Sequence, residues 1–128
     1  MANELYDKGM KVRRMVFGDA YVDNAEANKS DFDAAFQRLI AEGPWGSVWA
    51  SDAITPRERS MITIALLAAV GHYAELAMHV RATRNTGASL SDIREALLHV
   101  AIYAGIPAAN RAFATAKQTL AEAGMIEA

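Results

Sequence analysis

No stretch of this 128-residue chain alternates apolar and polar side chains convincingly with period two, and each break in its apolar pattern carries residues that start or stop helices. A sheet has nothing to be built from. The pattern therefore specifies an all-α fold, a compact bundle of about six helices in one domain spanning residues 1–128. The clearest start signal is Thr55-Pro56-Arg57-Glu58. It combines a hydroxyl cap, a proline where no amide donor is needed, and a glutamate three residues after the cap. The residues that follow, Met61 to Val70, are apolar on nearly every side, which predicts the central and most buried helix.

Punctuation places the other five. Asn3–Phe17 reads as a helix stopped by Gly18, and Ser30 or Asp31 caps a second whose Phe32, Phe36, Leu39 and Ile40 form one apolar stripe. Gly43-Pro44 ends that helix, and Gly43 to Trp49, which holds both tryptophans, reads as an ordered loop. His72 to Thr86 is helical up to Gly87, Ser91 caps a helix running to Gly105, and Pro107 opens the last one, which stops at Gly124. The helices starting at Pro56 and ending at Ala123 pair as two successive hairpins.

Composition removes several functions. Thirteen basic against fifteen acidic residues leave a net charge of −2, too little positive field to hold a phosphate backbone, so no nucleic-acid partner is expected. The longest apolar run, Ile64 to Gly71, is far short of the roughly 18 residues that span a bilayer. No membrane association is expected, and the chain reads as soluble and cytoplasmic. It contains no cysteine, which excludes disulfides, thiolate nucleophiles, Cys-ligated zinc and iron–sulfur clusters together.

Chemistry concentrates in few places. Glu75 and His79 lie four residues apart, hence one above the other on a helix face, at the margin of the stripe formed by Tyr73, Leu76 and Val80. A carboxylate favours the imidazolium while desolvation opposes it, so a proton held near neutrality, and a general acid, is one reading. An ordinary surface pair is the other. His72, one turn earlier, adds a third member, but such spacing without further ligands is weak support for a metal, and none is expected. Arg57 and Arg59 stand at the positive end of the buried helix and, with Arg81, are candidate carboxylate clamps; solvated surface arginines have the same pattern. Trp45 and Trp49 either wall a pocket or fill a core.

Six ordered stretches carry a resemblance: Gly9-Met-Lys-Val-Arg-Arg14, Gly18-Asp-Ala-Tyr-Val-Asp23 with Ala25-Glu-Ala-Asn28, Trp45-Gly-Ser-Val-Trp49, Arg59-Ser-Met-Ile-Thr-Ile-Ala65, Glu75-Leu-Ala-Met-His79 and Ala101-Ile-Tyr-Ala-Gly-Ile-Pro-Ala-Ala-Asn110. Together they resemble the carboxymuconolactone decarboxylase family, whose fold is alkylhydroperoxidase D-like. The peroxidase branch of that superfamily has Cys-x-x-Cys-x-x-x-His where this chain has His72, Glu75 and His79. Without thiols, disulfide-based peroxidase chemistry is closed to it.

The resemblance implies cofactor-free decarboxylation of a dicarboxylated lactone to 3-oxoadipate enol-lactone, in the protocatechuate branch of the β-ketoadipate pathway. It implies a homotrimer or hexamer with pockets near subunit contacts. The expected roles are His79 as general acid, Glu75 orienting and charging it, Arg57 or Arg59 holding the spectator carboxylate, and the Trp45–Trp49 stretch closing the pocket. Family members usually have His after the counterpart of Asn110, and this chain has Arg111. That departure favours a related lactone as an alternative substrate; a silent helical binding module is the non-enzymatic alternative.

Overall fold

A computed structural model of the chain describes residues 4–127. The described residues form α1 (Glu4–Phe17), α2 (Asp19–Ala27), α3 (Ala34–Ile40), a π-helical segment (Ala41–Trp49), α4 (Pro56–Val70), α5 (Tyr73–Thr86), α6 (Leu90–Tyr103) and α7 (Ile106–Glu122), with no strand among them. The all-helical reading holds, with seven α-helices where the punctuation counts about six. The expected start at Asn3 lies outside the described residues.

Contacts divide the chain into two compact units, Met1–Ile54 and Thr55–Ala128. In the first, α1 packs closely on the π-helical segment because both contribute glycine at the crossing. A Cβ at Gly9 would collide with the Ala41 carbonyl oxygen, and one at Gly46 would stand 2.5 Å from the Leu5 carbonyl oxygen. Two expectations are corrected here. Gly43-Pro44 does not stop the helix, and Gly43 to Trp49 is no loop: the backbone widens to i→i+5 pairing and continues through Pro44 to Trp49. The seventh helix, α2, follows Gly18 directly, whose φ of 89° turns the chain sharply enough to restart a helix without a linker. The apolar stripe of the second predicted helix faces outward, with Phe32, Phe36 and Leu39 all exposed.

The second unit is a four-helix arrangement in which α4 packs on α5 and α6, and α7 on α5 and α6. Ile64, Ala68, Leu76, Val80, Leu97, Val100, Ala112 and Ala116 form its core. The α4 start is as read: Thr55 Oγ1 accepts from the Glu58 amide while the Glu58 carboxylate accepts from the Thr55 amide at 2.8 Å. Gly71, at φ 80°, turns the chain out of α4. Buried Ser60 and Thr86 hydroxyls meet at 2.6 Å and set the antiparallel register of α4 and α5. Helix α6 begins two residues earlier than expected, because Ser89 and Asp92, rather than Ser91, form the reciprocal cap. Helix α4 is not buried all round. Ser60, Ile64 and Ala68 face the core, whereas Ile62, Leu66 and Val70, spaced four apart, are more than half exposed.

Candidate active site

The buried stripe of α5 runs through Leu76, Val80 and Thr83, and His79 falls on its shoulder, three residues after Leu76 and four before Thr83. The imidazole is half-buried. Loss of water around it pushes its pKa down from 6.5 to about 4. Desolvation thus outweighs the stabilisation of the imidazolium that the spacing to Glu75 predicts, and His79 is neutral at neutral pH in the free protein. Glu75 itself is exposed, one turn nearer the start of α5. His72 sits outside the helix as its N-cap residue, exposed and without a capping bond from its side chain.

The three arginines have different surroundings. Arg57 donates from Nε to Asp92 Oδ2 and from Nη2 to Asp92 Oδ1, both at 2.7 Å. This two-pronged pair holds the Asp92 carboxyl well below the usual carboxylate range, with the Ser89 amide adding to the effect. It ties the first turn of α4 to the first turn of α6, and that fork is already engaged. Arg59, half-buried, lies beside Ser60 and therefore level with the Thr86 end of α5. His79 stands seven residues up α5 from Thr86, about 10 Å along the axis. Arg81 follows His79 by two residues, about 200° round the helix, and so leaves α5 on nearly the opposite side. Trp45 and Trp49 belong to the first unit, where their rings pack against each other with centroids 5.2 Å apart and Trp45 meets Phe17 edge-on.

Arg111, the departure from the family pattern, places its guanidinium 4.9 Å from the centre of the Tyr73 ring at the start of α5. A cation–π contact of this kind suits arginine and would not form with neutral histidine. A cavity of about 450 Å³ opens along α6 and α7, walled by Ile93, Leu97, Phe113 and Leu120, with Arg94 and Lys117 at its edge. Asn110, the last residue of the sixth matching stretch, lines it, whereas His79, Glu75, Arg57, Arg59, Arg81, Trp45 and Trp49 do not. Among the described residues no cluster of three or more His, Cys, Asp or Glu is arranged to hold a metal ion, and no helix is long and apolar enough to cross a membrane.

The second unit is thus a cysteine-free helical bundle that sets a desolvated imidazole beside its buried stripe. The profile of the Carboxymuconolactone decarboxylase family matches residues 34–118, and the chain belongs to that family. It is 38% identical over 120 residues, 94% of its length and 90% of the relative's, to a 4-carboxymuconolactone decarboxylase of Acinetobacter baylyi. A nitrosuccinic acid decarboxylase of Metarhizium robertsii is also 38% identical, over 116 residues covering 91% of this chain and 81% of that protein. A 4-carboxymuconolactone decarboxylase of Pseudomonas putida matches at 46% over 41 residues, 32% of this chain and 85% of that one.

Proposed function

We propose that this protein decarboxylates 4-carboxymuconolactone to 3-oxoadipate enol-lactone, without a cofactor and as a homo-oligomer, in the catabolism of aromatic compounds. The observation that carries the reading is the likeness to the Acinetobacter baylyi decarboxylase along 94% of the chain. The chemistry fits a site with only acid–base and cationic groups. The bond to the departing carboxylate breaks, and its electron pair moves through the ring C=C bond into the lactone carbonyl. A dienolate results, and one proton delivered to carbon completes the product. The substrate supplies its own electron sink, which leaves the protein to bind the spectator carboxylate, stabilise the oxyanion and hold a proton.

His79 is the proton carrier in this scheme. A substrate with two carboxylates brings negative charge next to a desolvated imidazole, and an opposite charge within about 4–6 Å raises such a pKa by roughly 1–3 units. The imidazole then takes up a proton as substrate binds and returns it to the ring carbon after CO2 leaves. Arg59 holds the spectator carboxylate, while Arg57 braces α4 against α6. Glu75 helps retain the charged imidazole. The stripe of Ile62, Leu66 and Val70, with exposed Ile102, Tyr103 and Ile106, supplies apolar surface for a second copy of the chain. A soluble, cytoplasmic location suits such an enzyme.

A second reading has its own observation, the equal identity to a nitrosuccinic acid decarboxylase. There the nitro group replaces the lactone carbonyl as electron sink, and the demand on the protein is the same. The test is CO2 release by the purified protein with EDTA present, on enzymatically generated 4-carboxymuconolactone and on nitrosuccinate in parallel. Turnover of the lactone at least about tenfold above nitrosuccinate in kcat/KM supports the first reading. The reverse preference installs the second, and activity on neither removes both.

A further inference from the structure

One buried charge plays no part in this chemistry. Arg13 on α1 is only 4% exposed, yet its Nε and Nη1 are buried without a hydrogen-bond partner. The centre of the Tyr21 ring lies 5.8 Å from its guanidinium carbon. The next residue shows what satisfied arginines look like: Arg14 meets Asp19 at 3.1 Å and Asp23 at 2.8 Å. Burying a guanidinium without hydrogen-bond acceptors is costly, because its five donors are taken from water. The face of a tyrosine offsets only part of that cost. Buried donors of this kind are normally satisfied, and an unsatisfied pair marks a missing acceptor.

We propose that Arg13 is the anchor of a carboxylate-binding site within the first unit, suited to a small acid with a flat, unsaturated body. The planar fork of an arginine matches a carboxylate, and with Arg14 already neutralised by two aspartates the site offers a single positive charge, which favours a carboxylate over a dianionic phosphate. The surroundings select the body of the ligand. Tyr21 lies 5.0 Å from Phe17, Phe17 lies 5.1 Å from Trp45, and Trp45 lies 5.2 Å from Trp49, a continuous run of rings beginning at the guanidinium. Faces and edges of this kind stack with planar ligands. The two donors are buried in the free chain, so an entering acid must displace neighbouring side chains to reach them.

That displacement makes the site measurable, because both tryptophans of the chain belong to the run of rings. Furan-2-carboxylate is the probe and its uncharged amide the control, each titrated into the whole protein and followed by tryptophan fluorescence and calorimetry. The expected result is saturable binding of the acid and none of the amide. Arg13→Met should weaken the acid at least about tenfold while thermal stability stays level or rises, since a buried unpaired charge has been replaced by an apolar chain. Arg13→Lys, which keeps the charge and loses the fork, should fall between. Absence of binding by the unaltered protein would overturn the proposal. So would undiminished binding by folded Arg13→Met or Arg13→Lys protein. Loss of stability or of assembly in both variants, with furan-2-carboxylate silent, would assign the missing acceptor to a water or to a second copy. Turnover is not a readout, so the proposal and the decarboxylase reading fail separately.

Discussion

Acidification from pH 7 to pH 5 should cost this protein about 2 kcal/mol of stability through one side chain, His79. Its imidazole titrates near 6.5 when unfolded and at about 4 when folded. As pH falls through 6.5 the unfolded chain binds a proton that the folded chain refuses, so the contribution is intact above that value and is lost progressively down to 4. The full loss is on the order of 3 kcal/mol, of which about 2 kcal/mol has gone by pH 5. The carboxyls held low by partners, Asp33, Glu58 and Asp92, start from unfolded values of 3.8, 4.5 and 3.8, so their losses come mainly at lower pH. Gln at position 79 keeps a neutral amide in place of the neutral ring. The assay is urea unfolding followed by far-ultraviolet circular dichroism at pH 7 and pH 5, at one protein concentration because assembly shifts apparent stability. The midpoint of the unaltered protein should fall by roughly 1 M more than that of His79→Gln. Parallel losses in the two proteins would refute the argument, because His79 would then be as basic folded as unfolded.

Other perturbations have equally definite outcomes. Gly9→Ala should destabilise the first unit by about 3 kcal/mol or more, since the new methyl meets the Ala41 carbonyl and a backbone must move; thermal melting would show it. Thr55→Ala removes half of the reciprocal cap of α4 and should cost about 1 kcal/mol in urea unfolding, with activity retained. Thr86→Val leaves the buried Ser60 hydroxyl without its partner and should cost roughly 1–3 kcal/mol, part of which the double variant with Ser60→Ala recovers. Leu66→Glu puts a charge in the middle of the exposed α4 stripe and should shift the light-scattering mass toward the monomer while the helical dichroism is kept.

Helix type and most helix ends could be read from the chain because the controlling interactions are local. Thr55 and Glu58 cap α4 through bonds three residues apart, and the Ser89-to-Asp92 spacing obeys the same rule, although Ser91 sits closer to the apolar run and competes for the role. Helix α2 was hidden because it buries only Val22 and so shows no stripe. The π-helical segment has no simple sequence signature, and Pro44 argues for a stop there. In the candidate site, spacing put Glu75 and His79 on one face, whereas the protonation of His79 depends on how much water the neighbouring helices exclude. Arg57 looked available because its partner, Asp92, lies 35 residues further along the chain. Arg13 left a trace that could have been followed: Gly9, Arg13 and Val16 are spaced four and three apart and form the buried stripe of α1.

The most direct test of the central claim is the rate of CO2 release from 4-carboxymuconolactone by the protein and by His79→Gln, at equal concentrations of folded enzyme. A positioned proton carrier predicts a loss of roughly 10²–10⁴ in kcat for the variant. Equal rates would show that the proton comes from elsewhere and would take His79 out of the reaction.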